Sequence, residues 1–271
     1  MKVFPNCKVN IGLNIVERRP DGYHNLQTIF YPIPLCDEIS IQLSETDTLI
    51  MEGFYIEGAK EDNLVMKVLN VLRKNGHRIP PVSIKLHKVI PSGAGLGGGS
   101  SDAAFMMKAL NKMFMLGLNR TEMEYLLTPL GADCPFFVNN LPVYAEGIGN
   151  IFTPICIDLK GWHLILVKPN DFVSTREAYS MVHPHFPEYD LQQYVTLPVE
   201  EWRRYIVNDF EESVFPIHPI IQTIRDELYN QGASYAAMSG SGSCVYGLFK
   251  QQPAEEYAKI FGDYFYFHCI L

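Results

Sequence analysis

The segment Pro91-Ser92-Gly93-Ala94-Gly95-Leu96-Gly97-Gly98-Gly99-Ser100-Ser101-Asp102 gathers five glycines and three serines just ahead of a run of helix formers, Ala103 to Leu110. Glycines admit positive φ and let backbone approach a ligand closely, while a helix start presents unpaired N–H groups in a positive dipole field. Such a segment is a cradle for phosphate. The spacing Gly93-x-Gly95-x-x-Gly98 satisfies a dinucleotide fingerprint. The preceding run Val82 to His87, however, alternates apolar and polar residues, which reads as a strand with one wet face rather than a fully apolar parallel strand. A Walker A loop is excluded too, because Gly99 runs into Ser100-Ser101-Asp102 with no lysine. Ser100, Ser101 or Asp102 is the expected N-cap. A ligand-free strand-to-helix turn is the alternative; so dense a cluster carries an entropic cost that an ordinary turn does not require.

A phosphate cradle becomes a kinase site only beside groups that position an acceptor hydroxyl and neutralise developing charge. Asp133, in Gly131-Ala132-Asp133-Cys134-Pro135-Phe136-Phe137, stands in a predicted corner between a helix end and an apolar run, where a carboxylate needs a partner. Lys8, between Cys7 and Val9 on the first predicted strand, is an odd cation there unless it reaches a site. On spacing alone the two are a base and its charge partner or merely a structural ion pair. The second glycine cluster, Ser239-Gly240-Ser241-Gly242, is either a hairpin connection or a loop closing on the ligand. Asn208-Asp209-Phe210-Glu211 carries two carboxylates near a helix, with N-capping as their simplest role. His24 beside Tyr23 suits ring stacking, or is an ordinary turn histidine.

With 271 residues, the chain is long enough to bury about 70–75% of its unfolded surface, as one large domain or two lobes. Six scattered cysteines form no C-x-x-C pair, so neither a zinc site nor a redox motif is signalled. A formal net charge of −8 argues against nonspecific nucleic-acid binding. Absence of a signal-like apolar core near Met1, and of any run of membrane-spanning length, leads us to expect a cytoplasmic protein that is not membrane-bound.

Strand character is expected over 2–15 and 27–43, with a Pro20-Asp21-Gly22 turn between them. A helix is expected near 63–74, another after the glycine loop, and a third opened by a capping box Thr121-x-x-Glu124. A composition shift near residue 150 separates an N-terminal lobe, 1–152, from a C-terminal lobe, 153–271, which the resemblance described below implies to be the ATP-binding and the substrate-binding lobe. The latter reads as a strand over 162–167, a helix over 175–182, a helix over 220–231, a strand over 243–249, a helix over 254–261 and a strand over 264–270. That order is an α+β arrangement of antiparallel strands.

Taken in order, Lys8-Val9-Asn10 with Gly12-Leu13, Arg19-Pro20-Asp21-Gly22-Tyr23-His24, the Pro91–Ala103 loop, Gly131-Ala132-Asp133-x-Pro135-Phe136 and Ser239-Gly240-Ser241-Gly242 resemble the GHMP kinases across almost the whole chain. Within that superfamily, the segments at Tyr23-His24 and Asp133 most resemble members that phosphorylate the 2-hydroxyl of a cytidine diphosphate-linked methylerythritol in non-mevalonate isoprenoid biosynthesis. The resemblance implies a two-lobed α+β fold, with an N-terminal lobe like ribosomal protein S5 domain 2 and a ferredoxin-like C-terminal lobe. It implies ATP phosphates on Pro91 to Ser101, Asp133 as base and Lys8 as its partner. It further implies cytidine recognition by Tyr23 and His24, an aromatic from the second lobe, Tyr179, on the other face of cytosine, and Asn10 against the methylerythritol part. Magnesium is the expected companion of ATP; no protein ligands for it are legible. Two positions depart from the family pattern: Asn150 stands where an acid is usual after Gly147-Ile148-Gly149, and Cys134 where valine is common. Other GHMP acceptors, such as mevalonate, homoserine or a sugar, and a catalytically silent ATP-sensing or RNA-associated module remain the rival readings.

Overall fold

The computed structural model describes residues 1–55, 58–254 and 257–271. The first half runs β1 (Lys2–Val3), β2 (Asn6–Arg18), β3 (His24–Cys36), β4 (Glu38–Leu43), β5 (Thr48–Gly53), α1 (Leu64–Lys74), β6 (Val82–Lys88), α2 (Gly98–Met113), α3 (Arg120–Leu127), α4 (Phe136–Asn139), β7 (Val143–Glu146) and β8 (Ile151–Pro154). The second runs β9 (His163–Lys168), α5 (Thr175–Ser180), α6 (Leu191–Tyr194), α7 (Val199–Trp202), α8 (Phe210–Val214), α9 (Pro219–Asn230), β10 (Tyr235–Met238), β11 (Val245–Phe249), α10 (Tyr257–Ile260) and β12 (Phe265–Ile270). Part of the helix expected over 254–261 lies outside the described residues. Two compact units interleave along this order: Met1–Cys7, Leu35–Ser92 and Gly97–Leu141 form one, and Lys8–Pro34, Gly93–Leu96 and Pro142–Leu271 the other.

The first unit holds a sheet of order β1-β4-β6-β5, with α2 packed against β1 and α1 packed against α2. The alternation read in Val82 to His87 is realised as buried Val82, Ile84 and Leu86 with Ser83, Lys85 and His87 less covered. β4 pairs antiparallel with β6, and β5 pairs parallel with it. The reason is connectivity: a parallel pair needs a crossover, and α1 supplies it. Asn63 caps α1 by accepting from the Val65 N–H at 3.0 Å, and Val65, Val68, Leu69 and Leu72 form its buried stripe. Burying each of these side chains is worth about 1.5–3 kcal/mol.

The capping box of α3 lies two residues earlier than the expected Thr121-x-x-Glu124. Asn119 Oδ1 accepts from the Glu122 N–H at 3.0 Å and Glu122 Oε2 from the Asn119 N–H at 2.8 Å. Asparagine is as good a cap as threonine, and Pro or Gly signals did not distinguish the two registers. Asn119→Ala is expected to destabilise the protein by about 1 kcal/mol, read as a lower denaturation midpoint at unchanged m; Thr121→Ala should change little.

The second unit holds two sheets, β2-β3-β7-β8 and β10-β11-β9-β12. In the latter all pairs are antiparallel, and the chain order β9-helices-β10-β11-α10-β12 is the ferredoxin-like β-α-β-β-α-β pattern. Its inner face packs Ile165, Val167 and Val245 against Ile221, Ile224 and Leu228 of α9. β10 is an edge strand, and its outward backbone is occupied by side chains of the 208–211 segment. Asn208 Nδ2 donates to Met238 O at 2.8 Å, and Glu211 Oε1 accepts from the Met238 N–H at 2.7 Å. Asp209 sits at the N-cap position of α8 without a capping bond; its Oδ2 instead accepts from the Ile15 N–H on β2 at 2.7 Å. These acids therefore cross-link strands and close an edge, a role that spacing along the chain could not reveal.

Candidate active site

The expected N-caps of α2 are inside the helix. Gly97, at φ +68°, is the cap, with no capping side chain and no acid in the first turn. The first intrahelical bond runs from the Ser101 N–H to Gly97 O at 2.9 Å, so the amides of Gly98, Gly99 and Ser100 stand ahead of it. Serine at position 100 cannot cap because a left-handed Gly97 starts the helix sooner. Glycine amides at an uncapped helix start, with no carboxylate in that turn, fit an anionic phosphate chain.

The Asp133 turn lies against this same helix start. An added Cβ on Gly131 would come 3.2 Å from Cys134 Sγ and 3.6 Å from Ser100 Oγ, so glycine lets the turn approach Ser100. Asp133 itself is half-buried, while Cys134, Phe136 and Phe137 anchor the turn in the core. Lys108 of α2 donates to Phe137 O at 2.8 Å and lies over the Phe105 ring; burial pushes its ammonium down to about 8. Burial pushes the Cys134 thiol up to about 11, chiefly against a smaller lowering by a Ser100 hydrogen bond. That thiol is no nucleophile at neutral pH.

Lys8 and the other end of the cradle come together in the second unit. Lys8 is 3% exposed; its Nζ donates to Asn10 Oδ1 at 2.6 Å and to Gly95 O at 3.0 Å, and lies 4.9 Å from the Phe30 ring centroid. Its own amide donates to Leu96 O at 3.0 Å. Asn10 also donates from Nδ2 to Thr28 Oγ1 at 2.9 Å, so its amide group orients the lysine.

The second glycine cluster is no plain hairpin connection. Ser239 Oγ donates to Gly95 O at 3.0 Å, the Cys244 N–H donates to Ala94 O at 3.3 Å, and Asn208 Nδ2 holds Gly240 O at 2.8 Å. The two glycine loops are thus stitched together, and Phe172 places its ring over Gly93. Asn150 Oδ1 accepts from the Ile148 N–H at 3.2 Å, a turn bond that a carboxylate oxygen would accept equally well.

His24 and Tyr179 meet as stacked rings, centroids 4.8 Å apart and 21° between planes, and Tyr179 stands edge-on to Phe210 at 4.8 Å. Burial, with a smaller push from Arg18, holds the His24 imidazole below its usual value, so it is neutral at pH 7. Tyr23 is exposed. Sequence reasoning missed Phe172 and the Asn208 clamp. It also missed a buried cluster of Lys88, Asp37 and Asp102. One signal was available: Lys88 falls in the inward phase of the strand alternation, after Val82, Ile84 and Leu86.

Two family models match the chain, GHMP kinases N terminal domain over residues 63–140 and GHMP kinases C terminal over 198–266. A 4-diphosphocytidyl-2-C-methyl-D-erythritol kinase of Bacteroides thetaiotaomicron is 55% identical over 256 residues, covering 93% of both chains. The chain belongs to the 4-diphosphocytidyl-2-C-methyl-D-erythritol kinase family of GHMP kinases. A crystal structure of a 4-(cytidine 5'-diphospho)-2C-methyl-D-erythritol kinase is similar at TM-score 0.82 and 28% identity, over 99% of this chain and 98% of that one. Methanococcus jannaschii mevalonate kinase shares the fold at TM-score 0.72 and 18% identity, over 100% of this chain and 98% of that one. The GHMP kinase fold, two-lobed and α+β, is therefore the architecture of this chain. Among the described residues no helix is long and apolar enough to cross a membrane, and no group of three His, Cys, Asp or Glu side chains could hold a metal ion.

Proposed function

We propose that this GHMP kinase transfers the γ-phosphoryl group of ATP to the 2-hydroxyl of 4-diphosphocytidyl-2-C-methyl-D-erythritol, with Asp133 as base and Lys8 as its charge partner. The observation that supports Lys8 is its bond from Nζ to Gly95 O at 3.0 Å within one unit; Asp133 is supported by its turn, whose Gly131 lies beside Ser100 of the helix start within the other. Residues 1–152 supply the nucleotide cradle, Pro91 to Ser101, and 153–271 supply Tyr179 and the second loop, Ser239 to Gly242. Amides of the cradle bind the phosphate chain. Asp133 takes the proton of the acceptor hydroxyl, and Lys8, held in direction by Asn10, offsets negative charge that spreads during transfer. Magnesium bound with the nucleotide would supply positive charge to offset that of the phosphate oxygens. The enzyme works on a small molecule in the cytoplasm, without nucleic acid.

Tyr23, His24 and Tyr179 recognise the cytosine. His24 and Tyr179 are in ring contact, so their planes must part to admit a base between them. Tyr179→Ala is expected to raise KM for the cytidine diphosphate substrate by about tenfold, the worth of one stacking contact of about 1–3 kcal/mol, and to leave KM for ATP unchanged. The function itself is tested by incubating the protein with ATP, magnesium and the cytidine diphosphate substrate and identifying the product by mass and phosphorus NMR. A 2-phosphorylated product is expected. Equal turnover of mevalonate, homoserine or a sugar would sink the substrate assignment.

A further inference from the structure

Lys88 ends β6 in its inward phase, and its ammonium is 2% exposed between two carboxylates. It donates to Asp37 and, at 2.7 Å, to Asp102 Oδ2. The other Asp37 oxygen accepts the amides of Val89 at 2.6 Å and Ile90 at 2.8 Å. Asp37 thereby fixes the two residues that lead into Pro91, while Asp102 belongs to the helix that leads out of the cradle. An added Cβ on Gly98 would come 3.4 Å from Lys88 Nζ, which puts the ammonium beside the first helical residue.

Stability alone does not explain this cluster. Burying each ion costs several kcal/mol, and apolar residues of similar volume commonly serve a core as well. Asp102 Oδ1 and the neighbouring Ser101 Oγ are buried with no hydrogen-bond partner among the described residues, so the cluster is not a fully satisfied core network. We propose that Asp37, Lys88 and Asp102 are positioning residues for the phosphate cradle, pinning its two flanks through one ammonium and setting one carboxylate more than that ammonium can neutralise beside the helix start.

The charges that act on Asp102 are those of Lys88 and Asp37. Burial raises the Asp102 carboxyl to about 7, against the opposing pull of Lys88. With a proton on Asp102 the formal charges of the cluster cancel; its loss as pH rises adds one negative charge within two turns of the helix start. An anionic nucleotide on that helix start is repelled by the added charge, so affinity falls as pH rises. This inference rests on the nucleotide-cradle reading, and the experiment separates the two.

Titration calorimetry with Mg-ATP at pH 6 and pH 8 is made on the wild-type protein and on Asp102→Asn, which keeps an acceptor oxygen for Lys88 but cannot ionise. Between those pH values the wild-type affinity is expected to fall about fivefold more than that of Asp102→Asn, an interaction of one screened charge with the phosphates. The titration of the nucleotide itself is common to both proteins and drops out. KM for the cytidine diphosphate substrate should be the same in both. Equal pH responses would overturn the proposal while leaving the cradle intact. Absence of Mg-ATP binding at either pH would overturn the cradle reading and the proposal with it. Should Asp102→Asn not fold, wild-type binding at pH 7 in buffers of different ionisation enthalpy decides: net proton uptake supports the proposal and none refutes it.

Discussion

Asp133→Asn is expected to lower kcat by about 10²–10⁴-fold, or about 3–5 kcal/mol of barrier, while ATP still binds with its original affinity. An amide keeps the size and hydrogen-bonding reach of the carboxylate but cannot take a proton from an alcohol. The turn should survive the change, because its anchors are Cys134, Phe136 and Phe137, all buried, and the Cys134 N–H to Gly131 O bond at 3.1 Å. Steady-state kinetics with calorimetric ATP binding check this, and thermal melting confirms the fold. Turnover within a factor of three of wild type would remove Asp133 from the mechanism and leave positioning by the cradle as the main source of catalysis.

Gly95→Ala is expected to be among the most damaging single-methyl additions available to this chain. The residue sits at φ +72°, and its new Cβ would stand 1.8 Å from the Ser239 carbonyl oxygen, a backbone atom that cannot swing aside. A left-handed conformation costs an alanine about 1–2 kcal/mol before any clash. Relieving the clash must separate the two glycine loops, which loosens the Ser239 Oγ and Lys8 Nζ bonds to Gly95 O, each 3.0 Å long. We expect a loss of at least about 3 kcal/mol in denaturant unfolding, together with loss of turnover because Lys8 loses a fixed acceptor. Gly22→Ala provides the contrast. It too has positive φ, at +87°, but nothing stands within 4 Å of its added Cβ, so only the conformational cost of about 1–2 kcal/mol applies. Similar losses at the two positions would show that the loop-to-loop contact contributes little.

Much of the fold was legible because its signals are local. The helix over 63–74, the alternation through 82–87 and the helices over 175–182 and 220–231 all follow from periodicity within one or two turns. Boundaries moved where two local signals competed, as at Asn119 against Thr121. Short elements escaped altogether: α6 and α7 span four residues each, too few for a helical period to declare itself. The parallel pairing of β5 with β6 also escaped, since both faces and lengths of a strand can be read locally but its neighbour cannot. The acids at Asp209 and Glu211 read as helix caps for the same reason; their true partners, Ile15 and Met238, lie 194 and 27 residues away.

By itself the sequence determined that a glycine-rich helix start has the chemistry to suit phosphate, and that a lysine and an aspartate stand in positions where charge needs a purpose. Those conclusions depend only on residue type and short-range geometry: what glycine allows, what a helix start offers, what burial demands of an ion. Tertiary structure decided what each group faces. Lys8 meets Gly95 across 87 residues, Ser239 meets Gly95 across 144, and Asp37 meets Lys88 across 51. Side chains so far apart are brought together by strand pairing and core burial, whose energies are summed over the whole chain and are written in no short stretch of it. Where the sequence named a cradle, the fold supplied the clamps on both of its flanks.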